Sequence, residues 1–225
     1  MSNDLIVLSA RADEFTRALA DHVGADRLFW RSRRRVGRPK WQFQEVEVQQ
    51  ALPGASPSPG SIEVEQHQSE FLLLSAAGLE VTVWSTPPFK WFYEKNPDRS
   101  RPAMFVANVR VDLCESVEWA GAPQDWELQF EQGMVAPRPH EEKLHSRISA
   151  QGKAYRAAFK KCGFKVVEAV EAPFLERSPA SDDSATHWTS VISWEAEFEL
   201  ERKKVNPFVE AVVKILEFRL PDPAN

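Results

Sequence analysis

Apolar positions recur along this chain in two rhythms, a period of two and a period near 3.6, and their order predicts an α+β fold. Leu5–Leu8 reads as a short strand. From Ala12 to Val23 the residues Phe15, Leu19 and Val23 fall at helical spacing, with Asp13 as the expected cap and Gly24 as the stop. Residues 28–50 read as two extended segments joined at Gly37–Pro39. In the second, Trp41 and Phe43 share one face while Val46 and Val48 take the other, which implies a bulge near Gln44 or a strand apolar on both sides. Ile62–Leu74 and Leu79–Ser85 read as two strands closed by a tight turn at Ala76–Gly78. In Met104–Leu113 the residues Phe105, Ala107, Val109, Val111 and Leu113 alternate inward against Asn108, Arg110 and Asp112, and Trp126–Glu131 repeats the pattern with Trp126, Leu128 and Phe130.

A second helical stretch runs from Glu141 to Cys162, its stripe formed by Leu144, Ile148, Tyr155, Ala158, Phe159 and Cys162, and Gly163 supplies a left-handed stop. Phe164–Val170 and Trp188–Glu201 read as further strands. Asn206 followed by Pro207 is a helix start, with Val209, Val212, Val213, Leu216 and Leu220 as the apolar face. Stretches rich in Pro, Gly or Ser at 53–60, 86–102 and 178–186 read as mobile loops. The expectation is one α+β domain over residues 1–225, a mostly antiparallel sheet with helices over 12–23, 141–162 and 207–219.

Composition narrows the function classes. A hydrophobic fraction of 43% with 8 Trp and 14 Phe is enough to build a core, and a net charge of −5 predicts solubility without indicating a partner. Cys114 and Cys162 lie far apart and form no zinc or redox spacing, so neither a disulfide nor a metal is expected from them. The apolar stretch Leu5–Leu8 is too short for a signal peptide's core, and no run approaches the roughly 20 residues that span a bilayer. A cytoplasmic protein without membrane contact or cofactor is expected.

Chemistry concentrates in three places. Arg31, Arg33, Arg34, Arg35, Arg38 and Lys40, flanked by Trp30 and Trp41, form a basic segment suited to nucleic-acid phosphates and base stacking. Gly37–Arg38–Pro39 resembles the core of an AT-hook, with Val36 where that core has its first arginine. The alternative is a strand whose arginines pair with glutamates on its neighbour. Glutamates alternate at Glu45 and Glu47, Glu63 and Glu65, and Glu195, Glu197, Glu199 and Glu201. Rows of this kind hold divalent cations when they line a closed sheet, and Glu199–Leu200–Glu201–Arg202–Lys203 resembles the Glu-x-Glu-x-Lys motif of triphosphate tunnel hydrolases, which carry it on their first strand. His140, Glu141 and His145 cluster at a helix start, but Glu141 and His145 sharing a face would supply only two metal ligands. Phe89, Trp91, Phe92 and Tyr93 form an aromatic loop of the kind that anchors protein partners. The chain has no nucleophile elbow, P-loop or dinucleotide fingerprint. These features lead to the expectation of a non-catalytic binding or assembly module in a larger bacterial or phage-type complex. Its partners would be protein, with DNA or RNA contact through 31–40, and a metal-dependent phosphate hydrolase is the alternative.

Overall fold

A computed structural model describes residues 6–8, 10–31, 44–46, 56–67, 71–86, 103–120, 139–170, 172–179 and 187–220. In chain order these form β1 (Ile6–Leu8), α1 (Ala10–Val23), β2 (Leu28–Arg31), β3 (Gln44–Val46), β4 (Ile62–His67), β5 (Phe71–Ala76), β6 (Leu79–Thr86), β7 (Met104–Ala120), α2 (Pro139–Lys161), β8 (Lys165–Ala169), β9 (Phe174–Pro179), β10 (His187–Arg202) and α3 (Val205–Leu216). Eight strands make one mostly antiparallel sheet in the order β2-β4-β5-β6-β7-β10-β8, with β9 also on β10, while β1 and β3 form a separate pair. The expected α+β architecture with three helices is what the described residues adopt.

Several boundaries differ from the periodicity. The stretch expected as one strand over Ile62–Leu74 is two, β4 and β5, paired antiparallel with Val64 opposite Leu74. Ile62, Val64, Leu72 and Leu74 all occupy even positions, so the alternation runs through the reversal without a break. The next reversal is as expected: Ala77 (φ 50°) and Gly78 (φ 82°) are both left-handed between the paired Ala76 and Leu79, the signature of a two-residue type I′ hairpin. Strand β9 lies in a stretch that carries no strand signal in the sequence. Trp126–Glu131 lies outside the described residues.

The chain divides into two compact units. The first comprises residues 1–110, 158–167 and 197–219. Its core is aromatic: Phe208 of α3 takes the edge of Phe15 of α1 at 5.7 Å and stacks on Phe105 of β7 at 5.5 Å. Phe159 meets Phe198 at 4.5 Å and Phe164 at 5.8 Å. Helix α2 ends here in the predicted glycine stop: Gly163 has φ 88°, its N–H donates to Lys160 O, and Phe164 N–H reaches back to Phe159 O. Helix α3 begins at Val205, two residues before the predicted start. Its N-cap is Lys204, without a side-chain hydrogen bond, so Asn206 is not the cap and Pro207 lies within the first turn, where a missing N–H costs nothing.

The second unit comprises residues 111–157, 168–196 and 220–225. There α2 packs Ile148, fully buried, and approaches Trp194 of β10 so closely at Gly152 that a Cβ would stand 2.7 Å from the indole ring. Where Val170 N–H donates to Glu195 O (3.1 Å) and Phe174 faces Ser193, the edge chain takes four residue steps against two on β10, a bulge that carries Pro173.

Candidate functional site

Burial alternates along β2, β4, β5 and β6. Leu28 and Trp30, Ile62 and Val64, Leu72 and Leu74, and Val81 and Val83 form its buried face. The opposite face of β2, β4, β5 and β6 carries two transverse rows fixed by register, Phe29–Glu63–Ser75–Glu80 and Arg31–Glu65–Leu73–Thr82. Between them lies a cavity of about 170 Å³ lined by Arg31, Glu63, Glu65, Leu73, Ser75 and Glu80. Three carboxylates against one guanidinium leave it net acidic, and Arg31 Nη2 is already bound to Glu63 Oε2 at 2.5 Å. Small-molecule pockets begin near 300 Å³, so this volume takes a single side chain rather than a substrate or cofactor.

The second polar assembly is buried. Glu141 in the first turn of α2 accepts two bonds from Arg177 of β9, one from Nε at 2.9 Å and one from Nη2, and a third from Ser190 Oγ of β10 at 2.6 Å. Both charged side chains are at most 2% exposed. Ser190 donates its proton to a carboxylate that already holds a guanidinium, so the three side chains tie α2 to β9 and β10. This arrangement also separates the histidine cluster: Glu141 faces inward, while the exposed His145 Nε2 donates to Pro173 O at 3.2 Å.

Two of the three glutamate rows have described side chains, and these two do not meet. Glu63 and Glu65 stand on β4, and Glu197, Glu199 and Glu201 on β10 four places away in the strand order, or roughly 19 Å at about 4.8 Å per strand. The row on β10 alternates with buried Ala196, Phe198 and Leu200 and points away from the core. Among the described residues no three His, Cys, Asp or Glu side chains are placed to share a metal ion.

Helix α1 contains a third feature. Asp13, expected as its cap, lies inside the helix, which starts at Ala10, and is 1% exposed. Its Oδ2 is 3.5 Å from Arg17 Nη2, whereas Oδ1, the neighbouring Thr16 Oγ1, and Arg11 Nε and Nη2 are buried without hydrogen-bond partners. The Arg11 guanidinium lies 3.9 Å above the Phe105 ring. Burial raises the Asp13 carboxyl above its ordinary 3.8, with Arg17 partly opposing the shift. The folded state therefore holds this proton to higher pH than the unfolded chain. The stabilisation is complete below the unfolded value of 3.8 and is lost as pH rises through the folded value. Asp13→Asn is expected to flatten that fall and to raise the melting temperature by about 2–4 °C at neutral pH, the equivalent of about 1 kcal/mol. Melting curves from pH 4 to 8 test this, and an Asn variant that melts lower at pH 7 would refute it.

Of the residues predicted to bind nucleic acid, only Arg31 is described, and it engages a glutamate of the neighbouring strand. Arg33, Arg34, Arg35, Arg38 and Lys40 lie outside the described residues, as do Phe89, Trp91, Phe92 and Tyr93. Ser75 and Glu80, which sequence reasoning passed over, flank the type I′ turn and are therefore directly opposite each other. That pairing follows from the turn residues alone. Comparison with protein-family models, curated proteins and solved structures returns no match. No helix among the described residues is long and apolar enough to cross a membrane.

Proposed function

We propose that this protein is a non-catalytic binding or assembly module that receives a protein partner on the sheet face that carries Glu63, Ser75 and Glu80. The observation that carries the reading is the acidic, side-chain-sized cavity between the two transverse rows, in which Arg31 is paired with Glu63 and the exposed Glu80 adds a carboxylate that favours a basic group. Glu63→Lys with Glu80→Lys reverses that field at exposed or half-exposed positions and leaves the core intact. The wild-type chain, tagged and cross-linked in its own host extract, is expected to retain a defined set of proteins that the double variant loses. Equal retention by both would sink the reading.

Two solution measurements separate it from its rivals. Glutamate rows that do not converge give Mg²⁺ or Mn²⁺ no high-affinity site, so millimolar metal is expected to leave the melting temperature unchanged. A rise of several degrees that Glu197→Gln abolishes would transfer support to the phosphate hydrolase. Nucleic-acid contact through Arg33, Arg34, Arg35, Arg38 and Lys40 would give a log–log salt slope of roughly −2 to −5 for about three to five phosphate contacts. With Arg31 held by Glu63, the slope is expected to be unaffected by Arg31→Ala in an oligonucleotide titration.

A further inference from the structure

Strand β8 is the terminal strand of the sheet, and its four residues Lys165–Glu168 are all exposed. Val166 and Val167 are 42% and 53% exposed, two of the three large hydrophobic side chains that stand out in this way among the described residues. Native edges are ordinarily blunted by charge, and here Lys165 and Glu168 flank two adjacent exposed valines that carry none. The register shows what the edge offers. Val170 N–H bonds Glu195 O, so along an alternating strand Glu168 and Val166 direct their main-chain groups toward β10, while Val167 and Lys165 direct theirs outward. No described strand pairs with them there. Regular alternation from that bond puts Val166 on the face where β10 carries Glu197, Glu199 and Glu201. A strand added beyond β8 would lie roughly 10 Å from β10, within reach of long basic side chains crossing Val166 to meet those glutamates.

We propose that β8 is a strand-addition site for an extended basic segment of a partner protein, with lysines or arginines alternating toward the glutamate row and apolar residues packing beside Val167. The proposal rests on the reading of the protein as a binding module and supplies the partner's chemistry. Main-chain pairing would give affinity, and the glutamate row would give charge selection. A second copy of this chain fits less well, since pairing two β8 edges brings two glutamate rows toward each other.

The probe is a fluorescein-labelled ten-residue peptide of alternating lysine and valine, followed by anisotropy at low and physiological salt. Saturable binding is expected, and a glutamate–valine peptide is expected not to bind. Val167→Pro removes an outward N–H while leaving the bonds to β10, which edge strands tolerate. It is expected to weaken binding by about tenfold or more, the worth of one or two main-chain hydrogen bonds, with an unchanged melting temperature. Should Val167→Pro unfold the chain, a lysine–valine peptide N-methylated at alternate residues makes the same test on the wild-type protein. Absence of saturable binding, equal binding by Val167→Pro or by the methylated peptide, or equal binding of the acidic peptide each overturns the proposal. So does a concentration-dependent dimer that Val167→Pro abolishes, which would assign the edge to a second copy. Retention of partners that depends on Glu63 and Glu80 would survive any of these results, so failure at the edge is distinguishable from failure of the binding-module reading.

Discussion

Ile148→Asp is expected to abolish cooperative folding of the part of the chain built on α2. Ile148 is fully buried at the middle of that helix, in the unit where Gly152 seats against Trp194. An aspartate there loses the aliphatic contacts and places a carboxylate without a partner in an apolar environment, a cost of several kcal/mol against a total stability of about 5–15. The expected result is insoluble protein or a chain without a sigmoidal melt. Near-UV circular dichroism of the eight tryptophans gives the readout. A soluble variant with an unchanged melting temperature would show that this face of α2 does not pack as described. Ile148→Val is the control, expected to cost about 0.5–1.5 kcal/mol.

Glu141→Ala carries the second large effect, for an electrostatic reason. Arg177 and Ser190 converge on one carboxylate, and its removal takes from a buried guanidinium the anion that accepts two of its hydrogen bonds. Breaking such a pair costs about 3–5 kcal/mol, or roughly 6–20 °C in melting temperature for a chain of this size. The triple variant Glu141→Leu/Arg177→Met/Ser190→Ala is expected to recover part of the loss, because it removes both buried charges together. Thermal melts of the single and triple variants decide the matter. A single variant that melts within a degree or two of the parent would mean that water reaches the pair. Failure of the triple variant to recover would mean that the network also fixes how α2 enters the sheet.

Fold class could be read from the sequence because burial follows parity so closely on β7 and β10, where Phe105 to Val111 and Trp188 to Leu200 mark the inner face without interruption. The same regularity concealed the reversal between β4 and β5, since an even number of steps separates Val64 from Leu72. Strand β9 was hidden for a different reason: its inward residue Arg177 is charged, and its carboxylate partner Glu141 comes from α2, far away in the chain. The candidate site was half visible. Glu63, Glu65 and Arg31 stood out as charged alternations, and their pairing was one of the two readings of the basic segment. Their assembly with Ser75 and Glu80 depends on register across three strands, which no single stretch of sequence encodes. The exposed edge at β8 was unreadable, because Lys165–Ala169 looks like any strand until its place at the end of the sheet is known.

The aromatic contact between Phe208 and both Phe15 and Phe105 also governs how the protein is made. Residues 1–110 belong to a unit whose core closes only when α3 arrives, about 100 residues later in the chain. At the roughly 5–20 residues per second of synthesis, the nascent β4–β7 meander waits on the order of 5–20 seconds before α3 can pack on β6, where Val81 and Val83 are buried. Premature termination before Phe208 would leave Phe15 and Phe105 without the ring that joins them.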